Sequence, residues 1–72
     1  MQFDYRRLKG RIKEKCDTQA EYASKLGISE PVLSSRLNNL TNFTQEEIVK
    51  SLDILEIAPK QLKIYFFTPD VQ

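Results

Sequence analysis

Residues 18–37, TQAEYASKLGISEPVLSSRL, decide how the chain folds. Thr18 followed three residues later by Glu21 is a capping box, the local mark of a helix start. Tyr22, Ala23 and Leu26 then place apolar groups on one helical face. Gly27 can close that helix in the left-handed conformation without steric cost. Ser29 can cap a second helix, and Pro31 in its first turn has no intrahelical N–H bond to lose. Leu33 and Leu37, four residues apart, give this second helix an inward face. The stretch reads as two short helices crossing steeply, with Ala23 small enough for the close contact and Gly27 bending the connector.

On the N-terminal side, Asp4 is a candidate cap for a first helix running to about Lys15. Tyr5, Leu8, Ile12 and Cys16 fall on one arc of its wheel and are expected in the core. Arg6, Lys9 and Lys13 flank that arc on one side, and Arg7, Arg11 and Lys15 on the other. Six basic residues in ten suit either an ordinary solvated face or contact with phosphate or an acidic protein surface. Gly10 lies opposite the arc, costing roughly 1 kcal/mol of helix propensity without opening the core.

On the C-terminal side, Asn38 and Asn39 end the second helix, Asn being, after Gly, the residue that best tolerates a left-handed conformation. Leu40 and Phe43 are expected to drop onto the core. Thr44 and Glu47 form another capping box, opening a helix with Ile48, Leu52 and Leu55 on one face. Ala58-Pro59 opens a last short helix with Leu62 and Phe66 turned inward. Ile64, Tyr65, Phe66 and Phe67 cannot all point one way on a helix, so at least one is exposed or packed under the tail. Both a tail folded over the core and an association surface remain open here.

The 72 residues suit one domain, 1–72, with a small core, and leave little room for an enzyme with a deep pocket. A 40% hydrophobic and 29% charged composition is that of a globular protein. No apolar run approaches a membrane span and no signal segment opens the chain, so a cytoplasmic setting is expected. With one cysteine and no histidine, no internal disulfide, metal site or Cys–His nucleophile can be built. No catalytic residue, cofactor or small-molecule substrate is expected. Net charge is +1, but residues 1–40 carry +3 and residues 41–72 carry −2, so one half could face an anionic partner.

Gln19, Tyr22, Ala23, Gly27, Ile28 and Ser29 match in register the helix-turn-helix of the Cro and lysogenic-repressor (XRE-type) class of phage regulators, which this chain resembles. The first-helix pattern FDYxxLxGRIxEK, with LSxxLN, TQEEI and a YFFTPxVQ ending, is also similar to short regulators of temperate phages of lactic-acid bacteria. Among these it looks like the modulator-of-repression family of lactococcal phages. The resemblance implies an all-α, compact five-helix, lambda-repressor-like domain with helices at about 4–15, 18–26, 30–38, 44–55 and 59–66. It also implies a component of a lysis–lysogeny switch in a bacterial host cell, without saying whether the target is operator DNA or the repressor.

Groove reading falls to the start of the second motif helix, here Ser29, Glu30, Pro31, Ser34 and Ser35, with Asn38 one turn further. Guanine wants Arg and adenine wants Asn or Gln, and the leading edge has neither. Glu30 would approach phosphates with the wrong sign. Arg36 stands where the common motif has a hydrophobe, and reads equally as an edge charge or as a phosphate or partner contact. Gln19 resembles the residue that bonds phosphate and buttresses the reading helix. Gln19, Arg6, Arg7, Lys9, Arg11 and Lys13 are thus the candidate phosphate or partner contacts.

Two functions follow. In one, the chain binds the N-terminal DNA-binding domain of the lysogenic repressor, alone or together with operator DNA, and promotes the lytic state. In the other it is a Cro-type dimer that represses by binding operator DNA. The acidic and serine-rich edge suits a charged protein surface better than bare DNA.

Overall fold

In the computed structural model, which describes residues 2–71, five α-helices pack around a single core. They are α1 (Arg6–Cys16), α2 (Gln19–Leu26), α3 (Glu30–Leu37), α4 (Gln45–Ile54) and α5 (Leu62–Phe66). A 3₁₀ turn, Pro59–Gln61, leads into α5, so the last helix begins more tightly wound than expected.

The expected inward arc of α1 is buried along its length, from Tyr5 through Leu8 and Ile12 to Cys16. Burial pushes the Cys16 thiol up, consistent with an inert packing role. Asp4 does not cap α1 by position: its own N–H donates to Thr68 O at 2.8 Å, which keeps it extended. Its carboxylate still accepts the Arg6 N–H at 2.9 Å and grips the Arg6 guanidinium. That cation holds the Asp4 carboxyl down at about 2. Phe3 and Pro69 form an antiparallel bridge, and the Phe67 ring meets Phe3 edge-on at 6.0 Å. The tail therefore folds back on the N-terminal segment, with Ile64 and Phe67 part-exposed and Phe66 in the core.

The box at Thr18 is only half made. Thr18 Oγ1 accepts the Glu21 N–H at 3.1 Å, while the Thr18 N–H is taken by Cys16 O. At Thr44 and Glu47 both halves form.

Leu55 is fully buried, and Ile48 and Leu52 pack against the core from partly buried positions. The buried residues within α4 itself are polar: Glu47 at 7% exposure and Ser51 at 0%. Ser51 Oγ donates to Glu47 O at 2.7 Å and accepts the Tyr22 hydroxyl, tying α4 to α2. Burial pushes the Tyr22 phenol up to about 12, with Ser51 pulling the other way.

Phe43 packs edge-on between Tyr5 and Phe66, as expected of a core residue. Leu40 does not: it is 76% exposed. Asn39 adopts a left-handed φ of 62° and uses its side chain on Phe3, accepting the Phe3 N–H at 2.8 Å and donating to Phe3 O at 3.0 Å. That pinned turn swings Leu40 away from the core.

Candidate functional site

Gly27 has φ 81°, and the Ile28 N–H returns to Ala23 O at 3.0 Å, so α2 ends sharply and α3 departs in a new direction. Ser29 Oγ accepts the Val32 N–H at 3.4 Å, a long cap, and Pro31 sits in the first turn. Leu33 and Leu37 are buried beneath α3, which leaves its opposite side as a presented edge. Ser29, Glu30, Pro31, Ser34 and Asn38 are exposed along that edge. Ser35 is half-buried, its carbonyl accepting the N–H groups of Leu40 and Thr41. Asn38 Nδ2 donates to Ser34 Oγ at 3.2 Å, which fixes the amide along the helix surface.

Arg36 lies elsewhere. Its Nε and Nη2 donate to the two Glu47 carboxylate oxygens at 3.0 and 3.1 Å, and Nη1 donates to Thr41 Oγ1 at 2.8 Å. With its side chain 16% exposed, the guanidinium braces α3 against α4. Burial pushes the Glu47 carboxyl up, but Arg36 and the Thr44 N–H outweigh it and leave it below the usual range. Sequence reasoning missed this pair because Glu47 already had a local job in the capping box. The available signal was an Arg standing where the common motif has an apolar residue.

The basic residues of α1 are spent unevenly. Arg11 donates to Leu55 O and Glu56 O, both at 2.8 Å, and to Glu14 Oε1 at 2.9 Å. It thereby caps the C-terminal end of α4 and stabilises the left-handed turn at Glu56, φ 53°. Lys15 lies 3.2 Å from the Glu56 carboxylate, and Lys13 lies 3.9 Å from Asp17. Arg6 is committed to Asp4. Arg7 and Lys9 are exposed and form no ion pair among the described residues. Gln19 is exposed at the start of α2, and its side chain makes no hydrogen bond to α3.

Of the candidates, the fold brings Arg6 and Lys9 together with Asn38 around a cleft of about 300 Å³ at the C-terminal end of α3. Arg7, Arg11 and Lys13 do not line it. Among the described residues there is no cluster that could hold a metal ion, and no helix is long and apolar enough to cross a membrane. The presented edge of α3 can offer hydroxyls, one amide and one carboxylate, a set for polar recognition.

The family described as "Protein of unknown function (DUF739)" matches residues 1–69. Among solved structures, the chain is similar to the solution structure of the modulator of repression (MOR) of the temperate bacteriophage TP901-1 from Lactococcus lactis. The two share 39% identity and superpose with a TM-score of 0.81, over 100% of this chain and 97% of that one. No curated protein matches the chain.

Proposed function

We propose, from the premise that this chain belongs to the DUF739 family and is a relative of the TP901-1 modulator of repression, that it is a phage genetic-switch regulator acting in the bacterial cytoplasm. It promotes the lytic state by binding the N-terminal DNA-binding domain of the lysogenic repressor and keeping it off its operators, alone or together with operator DNA. The observation that carries this reading is the charge of the α3 edge. Arg36, the sole cation of that helix, is held by Glu47 and Thr41, so Glu30 is the only free charge among the residues of α3 itself, with Arg6 and Lys9 of α1 beside its C-terminal end. Phosphate contact needs cations, and an acidic edge is repelled by a duplex. The same edge complements a basic, DNA-reading protein surface.

A Cro-type operator repressor is the second reading, favoured by the free cation Lys9, which lines the cleft beside Asn38. Operator mobility shifts with the chain alone, the repressor alone and both together separate the two. Release of the repressor's shift by the chain, with no sequence-specific shift of its own, is the expected result. A sharp operator-specific shift by the chain alone refutes the antagonist reading as the main one. Glu30→Ala is expected to weaken repressor binding and to ease any association with DNA.

A further inference from the structure

We infer that the tail, residues 67–71, is a strap that closes over the cleft at the start of α1, where Asp70 takes the place of a nucleic-acid phosphate and screens Arg6 and Lys9 from it. The inference concerns a surface other than the α3 edge and does not depend on the antagonist reading.

The strap is lightly held. Among the described residues two backbone bonds join it to the N-terminal segment: the Asp4 N–H donates to Thr68 O at 2.8 Å, and the Asp70 N–H to Gln2 O at 3.0 Å. Pro69, between them, has no N–H to add. Phe67 meets Phe3 edge-on and stays 44% exposed, and Val71 is 85% exposed, so opening uncovers little apolar surface. Segments with few bonds and little burial open locally, well below the cost of global unfolding. The cleft survives that opening. Phe3 stays bonded through its N–H and carbonyl to Asn39, and Arg6 stays on the Asp4 carboxylate, without any help from the tail.

The charge of the cleft changes with the strap. Closed, it is lined by Arg6 and Lys9 against Asp4 and Asp70, and the four balance. The Arg6 guanidinium is pushed up chiefly by Asp4 and in smaller part by Asp70, which places the tail carboxylate within its field. Open, Asp70 departs, Asp4 remains with Arg6, and Lys9 stands uncompensated beside Asn38. Glu30 is at the other end of α3. Tyr5 and Leu37 in the lining are buried, so the cleft lacks the exposed apolar centre that anchors a protein partner. A guanidinium, an ammonium and an amide that gives Ser34 only one of its two N–H groups are the donors phosphate oxygens take.

The test has two arms, both on the full chain. In amide hydrogen exchange, the Asp4 and Asp70 N–H groups are expected to show protection factors at least about tenfold lower than the Phe3 N–H, which Asn39 holds. Equal protection of all three overturns the strap. In fluorescence anisotropy at low salt with a short mixed-sequence DNA duplex, Asp70→Asn is expected to bind about fivefold more tightly than the wild type, the effect of one unit charge removed beside a phosphate. Adding Lys9→Gln to Asp70→Asn is expected to cancel that gain. Asp53→Asn, the same charge change on the exposed side of α4, is expected to bind as the wild type does. A gain below twofold for Asp70→Asn, an equal gain for Asp53→Asn, or a gain that survives Lys9→Gln overturns the screen. None of these outcomes touches the repressor-release assay, so the antagonist reading stands or falls separately.

Discussion

Replacing Glu47 with Ala removes a carboxylate that receives two donors from Arg36, at 3.0 and 3.1 Å, and the Thr44 N–H at 3.1 Å. The guanidinium left behind is 16% exposed and keeps only Thr41. Breaking a fully buried ion pair from one side costs about 3–5 kcal/mol. This pair keeps some access to water, which screens the orphaned charge, so about 2–3 kcal/mol is expected. In a domain this small each kcal/mol lowers Tm by about 4–8 °C, so Glu47→Ala should melt roughly 10–20 °C below the wild type.

Arg36→Met should also destabilise, but the double variant Glu47→Ala with Arg36→Met should lose less than the two single changes added together, because no charge is then stranded. Thermal melts followed by circular dichroism supply all four corners of the cycle. A Glu47→Ala variant melting within about 3 °C of the wild type, or a coupling under about 0.5 kcal/mol, refutes the brace. Acid gives a second readout. The folded Glu47 carboxyl sits below its unfolded value, so its stabilisation is complete above the ordinary carboxylate range and is lost as pH falls through the folded value. The stability gap between wild type and Glu47→Gln should narrow as pH is lowered.

Gly27→Ala should cost about 1 kcal/mol by melting temperature, all of it conformational, because φ is +81° and a new Cβ would meet nothing within 4 Å. An unchanged Tm would refute the need for a left-handed residue there. Asn39→Gly keeps the φ of 62° at ease but loses both bonds to Phe3, and Asn39→Ala loses the bonds and strains the backbone as well. Both should speed hydrogen exchange at the Phe3 amide, with Ala the less stable by about 1 kcal/mol; equal stabilities would mean the turn tolerates any residue. Ser51→Ala strands the Tyr22 hydroxyl in a fully buried site and should cost about 2 kcal/mol, whereas Tyr22→Phe leaves Ser51 its bond to Glu47 O and should cost about 1. The reverse order in urea unfolding would contradict that donor assignment.

The helix starts and the sharp bend were readable in the chain because each is a local device. Thr18, Ser29 and Thr44 cap helices within three residues of themselves, and Gly27 needs only its own φ. The arc from Tyr5 to Cys16 was readable because periodicity carries burial on a helix. Leu40 was misplaced because its exposure is decided far away, by Asn39 bonding Phe3 across 36 residues of chain. The same holds for Arg11, whose partners Leu55 O and Glu56 O are backbone carbonyls that no residue pattern advertises.

This bears directly on the candidate site. The basic excess of the first 40 residues invites a nucleic-acid reading, but Arg11, Lys15 and Arg36 are tied to groups within the fold. Charge that stabilises helix ends and helix pairs is not available to a partner, so a tally along the chain overstates the field at the surface. What α3 presents is decided by subtraction. Once Glu47 claims Arg36, the edge keeps Glu30 and a row of hydroxyls, and a basic protein face satisfies that set better than a phosphate backbone does.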